Sequence, residues 1–365
     1  MLVTDIKYNI PNPIIDTKEQ KLLDSLTKQY EKMLEPSKTR QFINKTGTTV
    51  AGVLPSVVKG SVSKASKAVQ SGVKQISEQE IFNQTVKYIS EGYSTLQDKA
   101  AKVTINEKFI LDSINKQNSQ NPLNSLEELP LMRSYEISSA VRTSKIRNVL
   151  SATLEGFGTG FFGFAGIPAN LALSNFLYFR AVQNVAMFYG YDVKQDNAEM
   201  VIAGEIFTQA MNPSARGGNS ELSSDIIKIL SQAQLTGAKQ AAAKGWAAMI
   251  EKGGLPLALA NIRAVANKAA QKALTKAGQK SVELGVFKEA FNQIGRKLTL
   301  KFIQRGVPVV SAGVSALIDT GEMKKVIEYA DVFYNKRFIL EKEQRINDLI
   351  SGVTEYGLAV EHVGE

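Results

Sequence analysis

Apolar residues recur at helical spacing along almost the whole chain, and strand-like alternation is scarce. Leu22, Leu23, Leu26, Tyr30 and Met33 predict a first helix over 17–35, closed before Pro36. Gly47, Gly52 and Pro55 break the next stretch. Val58, Val62, Ala65, Val69, Val73 and Ile76 then predict a helix over 56–76 with a thin face of small residues. Helix continues over 78–112 through Ile81, Val86, Ile89, Leu96 and Val103. Asn115, Asn118, Asn121, Pro122, Asn124 and Pro130 mark 113–133 as a linker, and helix resumes near Ser134. Ala- and Lys-rich helices follow over 222–252 and 255–305, and a charged amphipathic helix over 322–349. The expected fold is all-α, a multi-helix bundle. It divides into an N-terminal helical region at 1–112, the linker, a helical core at 134–350 and a flexible tail at 351–365.

The most informative pattern lies between Glu155 and Arg180, where 24 residues carry no charge. As one helix they would rise ~36 Å, enough to cross a bilayer core. Pro168 in the middle, five glycines in the first half, and Asn170 and Asn175 argue against a simple span. A Gly/Phe-rich helical hairpin fits better: a glycine-rich turn, then a helix from about Asn170 to Tyr189. Gly156, Gly158, Gly160, Gly163 and Gly166 permit close backbone approach, to a neighbouring helix or to a ligand. Phe157, Phe161, Phe162, Phe164, Ile167 and Pro168 are the candidate lipid- or ligand-contacting residues; a tightly packed core element is the alternative. A second charge-free stretch, Gly306 to Ile318, is too short to span. Asp196 with Glu199 three residues on reads as a capping box opening a helix, a simpler account than metal ligation by Asp192, Asp196 and Glu199.

Composition narrows the chemistry. The 365 residues include no Cys and one His, His362, near the C-terminus. Disulfides, thiolate nucleophiles, Cys-based metal sites, multi-His sites and His-centred triads therefore drop out. The expectation is a non-enzymatic binding protein with no cofactor and no metal. Absent Cys suits a reducing cytoplasm, and the first 16 residues lack the apolar stretch of a signal peptide. The net charge of +9 is uneven. Residues 1–75 carry a net +6, and residues 236–305, with 13 basic and 3 acidic residues, a net +10. Concentrated positive charge favours polyanions. Lys64, Lys67 and Lys74 oppose the apolar stripe of 56–76, and Lys268, Lys272 and Lys276 oppose that of 259–277; these six are the candidate headgroup-binding cations. A solvated, Lys-rich helix face is the plainer reading of the same residues. Trp246, Phe287, Phe291 and Phe302 are too sparse for a base-stacking platform, so nucleic acid is not an expected partner.

Motif searches return nothing catalytic: no GxxxxGK[ST] loop, no GxSxG elbow, no HExxH, and no GxGxxG after a strand. One combination of residues is more telling. It comprises Glu155-Gly156, Gly158-Thr159-Gly160, Gly163, Gly166-Ile167-Pro168-Ala169-Asn170, Arg180, Ala186 and Tyr189-Gly190-Tyr191-Asp192. Val307-Pro308-Val309-Val310-Ser311-Ala312-Gly313, Ala330 and Tyr334-Asn335-Lys336-Arg337-Phe338 follow. In order and spacing this resembles the EcsC family, with a weaker match near 26–75. The chain departs from it at Asn170, where members commonly carry Asp, and around Ser311 and Ser315 or Ala316, where Gly and Asn are usual. The resemblance implies a bacterial protein linked to the cell envelope, the family being named for an operon that encodes an ABC-type exporter. It carries over no catalytic residue.

Two functions are compatible with these features. The first is a cytoplasmic protein peripheral to the inner face of the membrane, binding anionic lipid or an apolar ligand through the hairpin and the basic helices. The second is a soluble interaction module for a membrane transport protein, docking through the charged helix 322–349. An enzyme using Glu155 or Glu205 is a minor third.

Overall fold

The computed structural model describes residues 8–34, 77–91, 107–120, 122–144, 146, 167–194, 197–212, 282–304, 320–343, 345–346 and 360–362. Its helices are α1 (Thr17–Leu34), α2 (Glu78–Glu91), α3 (Glu107–Gln117), a 3-10 helix at Leu126–Leu131, α4 (Ser134–Thr143), α5 (Ile167–Phe188), α6 (Asn197–Met211), α7 (Val282–Gln304) and α8 (Thr320–Leu340). The class is all-α, as expected. Two short strands, β1 (Tyr8–Ile10) and β2 (Val360–His362), pair in parallel with Tyr8 opposite Val360, so His362 sits in a strand.

Local chemistry explains several boundaries. At the start of α1 the Glu19 amide donates to Asp16 Oδ1 (2.6 Å) and the Asp16 amide to Glu19 Oε2 (3.2 Å). That reciprocal capping box satisfies two of the orphan donors at the helix end. Pro168 sits in the first turn of α5, where its missing N–H breaks no helical bond. The same helix stops at Gly190, with φ of +77°. There the Tyr191 amide donates back to Ala186 O (3.0 Å) and the Gly190 amide to Met187 O (3.1 Å). This is a Schellman stop, and glycine adopts its left-handed residue without steric penalty.

α5 is the central element. It packs against α2, α4, α6, α7 and α8. From Pro168 to Tyr189 every residue but Asn170 and Arg180 is buried. A helix apolar on all sides belongs in an interior, and the surrounding helices supply one. Phe176 and Phe179 of α5, Phe207 of α6 and Phe287 of α7 meet in one aromatic cluster, with Phe176 edge-on to Phe287 at 5.1 Å. A Cβ at Gly204 would collide with Val286, so glycine there lets α6 and α7 approach closely.

The buried apolar residues form one cluster that runs from Leu26 in α1 to Ile339 in α8. Residues 113–133, expected as a linker, contribute Leu123, Leu129 and Met132 to it. Asn115 there is no disorder signal: its side chain donates to Leu123 O (2.8 Å) and accepts from the Leu123 amide (2.7 Å), pinning the turn. The helix expected over 78–112 is seen as α2 and α3, and the residues between them lie outside the description.

α8 requires a correction. Among its described residues, the charged amphipathic helix expected over 322–349 is exposed at Lys324, Lys325 and Glu328 in its first turns and again at Glu343, past the end of α8. From Tyr329 to Ile339 it is buried on every side, with Asp331 and Arg337 paired to charged partners and the Lys336 ammonium set against the Tyr30 ring. Among the described residues, no helix is long and apolar enough to cross a membrane.

Candidate functional site

Most of the residues singled out for lipid or ligand contact lie outside the described residues: Phe157, Phe161, Phe162, Phe164, Gly156, Gly158, Gly160, Gly163 and Gly166. Lys64, Lys67, Lys74, Lys268, Lys272 and Lys276 lie outside them too. Ile167 opens α5, with its side chain undescribed, and Pro168 is buried. The structure brings together a different set: buried charges where α5, α6 and α8 meet.

Its centre is Arg337 of α8. Nη1 and Nη2 donate to Glu199 Oε2 (2.7 Å) and Oε1 (2.9 Å) of α6, a bidentate pair with both side chains fully buried. Nε donates to Glu341 Oε1 at 2.8 Å, and the guanidinium lies 3.9 Å above the Tyr191 ring. Tyr191 Oη donates to the other Glu341 oxygen at 2.9 Å. Planar guanidinium suits this fork-and-stack arrangement in a way that a lysine ammonium could not. Burial works against the Arg337 charge, but Glu199, Tyr191 and Glu341 more than offset it and hold the group well above its ordinary value. Burial and the adjacent Glu341 carboxylate push the Tyr191 phenol well up.

A second cluster lies beside it. Asp331 of α8 accepts from Tyr189 Oη (2.7 Å), Ser138 Oγ of α4 (3.0 Å) and Arg142 Nε (3.2 Å). Burial raises the Asp331 pKa, and these three donors only partly oppose it. The Schellman stop at Gly190 thus has a purpose in packing: it turns the chain so that Tyr189 reaches Asp331 while Tyr191 reaches Arg337 and Glu341.

Two further buried contacts secure the periphery. Lys342 Nζ donates to Glu19 Oε2 (2.6 Å) and to Ile14 O (2.8 Å), joining the segment after α8 to the head of α1. Gln209 of α6 accepts from Tyr30 (3.3 Å) and Tyr329 (2.7 Å) and donates to Glu205 Oε1 at 2.6 Å. Burial pushes the Tyr30 phenol up to about 12. Glu205, the acid considered for carboxylate chemistry, is therefore a fully buried hydrogen-bond partner; Glu155 lies outside the described residues.

Chemically, these groups are a latch. Arg337, Asp331 and Lys342 each have an oppositely charged partner in contact, so these ion pairs hold segments in register. Among the described residues, no group of three or more His, Asp or Glu is placed to hold a metal ion. Glu199, read from sequence as half of a capping box, has Arg337 as its principal partner; Asp196 is outside the described residues. The available signal was Arg337 itself, a charge set among Phe333, Tyr334, Phe338 and Ile339. A charge inside so apolar a run implies a buried partner.

A model of the EcsC protein family matches residues 19–339. The chain belongs to that family. No curated protein and no solved structure matches it. In this EcsC family protein, Tyr189, Tyr191 and Arg337, three of the residues that carry the sequence resemblance, take part in the latch.

Proposed function

We propose that this EcsC family protein works without catalysis, as a helical protein docked on an anionic membrane surface at the cytoplasmic face. The supporting observation is the concentration of positive charge in residues 236–305, a net +10. α7, the described helix of that block, turns Arg296, Lys297 and Lys301 to the exterior. Each cation near an anionic leaflet contributes ~1 kcal/mol, an attraction that salt screens. The glycine- and phenylalanine-rich segment at 156–166 then supplies shallow apolar insertion or a groove for acyl chains.

Sedimentation with phosphatidylglycerol vesicles, against phosphatidylcholine vesicles, tests the reading at low and high salt. The protein is expected to pellet with the anionic vesicles and to be released by salt. Negligible pelleting with both lipids would end the proposal. Recovery from membranes with a transport protein, without lipid binding, would replace it by the interaction-module reading.

A further inference from the structure

Successive side chains on α7 turn by ~100° about its axis. Phe287, Phe291, Ile294 and Leu298 point into the core and are buried. Leu300 and Ile303 fall on the opposite side, 42% and 41% exposed. A helix packed by one face ordinarily shows solvent a polar one. Here two large aliphatic side chains stand on the outer face beside the exposed Arg296, with the exposed Lys297 and Lys301 on its flank.

The cations are weakly engaged. Lys297 Nζ donates to the neutral Asn212 at 3.0 Å, and Arg296 lies 5.6 Å from the Phe82 ring. Lys301 Nζ is 3.5 Å from Glu322 Oε1. Aliphatic side chains beside available cations complement a surface with anionic headgroups outside and acyl chains beneath. In sequence the helix leads directly toward the charge-free stretch Gly306 to Ile318.

We propose that the C-terminal turns of α7 are the membrane-docking patch, with Leu300 and Ile303 entering the headgroup–acyl boundary of an anionic leaflet. This rests on the membrane-surface reading above and gives it an address. The chain has no cysteine, so a single introduced thiol can be labelled cleanly. Leu300→Cys and Ile303→Cys, and Ser139→Cys on α4 as a control, are labelled with an environment-sensitive fluorophore and mixed with phosphatidylglycerol vesicles. Circular dichroism confirms that each variant is folded. The emission of labels at 300 and 303 is expected to shift to the blue while that at 139 stays put. The Leu300→Ser/Ile303→Ser variant is expected to lose roughly tenfold in vesicle partition. Pelleting without a blue shift at 300 and 303, or an equal shift at all three sites, overturns the patch and leaves the membrane reading standing. Failure of the unaltered protein to pellet overturns both.

Discussion

Arg337 on α8 and Arg296 on α7 carry the same guanidinium into opposite surroundings. Arg337 is fully buried, gripped by two carboxylates and stacked on Tyr191. Arg296 is exposed, its one described contact a distant cation–π approach over the Phe82 ring. Dielectric decides what each can do. In the interior an unpaired charge is intolerable, so Arg337 dictates where α6 and α8 lie relative to each other. At the surface, water screens the charge; Arg296 adds little to stability and remains available to an outside anion. Charge in this chain therefore has two uses, and burial distinguishes them where sequence position does not.

The sharpest way to break this contrast is Glu199→Ala. It leaves the buried Arg337 charge with Glu341 as its one remaining carboxylate partner and is expected to cost about 3 kcal/mol in urea unfolding. The Glu199→Met/Arg337→Met pair removes both charges and is expected to recover most of that loss. If the single and double variants are equally unstable, the pair is not what holds α6 to α8.

Next in size is Gly190→Ala. It forces a left-handed residue to carry a side chain and is expected to cost about 1–2 kcal/mol. Thermal melting reads the loss, and an unchanged melt would mean that the turn relaxes.

Asp331 sharpens the comparison through pH. Its folded-state pKa is raised above 3.8, chiefly by burial. Stability from this group is therefore fully present below 3.8 and is lost as pH rises through the folded value. Asp331→Asn removes that dependence, so wild type should lose stability relative to the variant on going from pH 3.5 upward. Parallel unfolding curves across that range would show that Asp331 titrates alike in the folded and unfolded chains.

Asn335 is one of the interior's exceptions. It is fully buried, and neither side-chain amide atom finds a hydrogen-bond partner. Asn335→Leu removes unpaired polar atoms rather than a bond and is expected to leave stability within about 1 kcal/mol of wild type, or to raise it. A loss of several kcal/mol, measured by the same urea titration, would mean the amide does more than fill space.

Much of the helical layout is readable in the sequence, and the reasons are local. Helix α1 announces itself by Leu22, Leu26, Tyr30 and Met33 at helical spacing, and α5 by a long apolar run that only an interior can accommodate. The latch is not readable in this way. Glu199 and Arg337 lie 138 residues apart; the apolar run around Arg337 implies some buried partner, but nothing local points to Glu199. The pairing exists only after α6 and α8 are laid against each other. The same limit hid that Tyr329 to Ile339 of α8 are core, since its apolar residues surround its charges instead of segregating from them. Leu300 and Ile303 escaped notice for the converse reason: they read as core until α7 is seen to bury its other face.

The smallest expected effect on stability belongs to the exterior, and there the account is most exposed to refutation. The Arg296→Gln/Lys297→Gln/Lys301→Gln variant should melt with a free-energy change within ~0.5 kcal/mol of wild type. Its partition onto phosphatidylglycerol vesicles is the deciding measurement. Weaker binding than wild type at low salt, with the difference vanishing at high salt, is the predicted result. Binding equal to wild type at both salts would contradict the claim that the outer face of α7 meets the membrane.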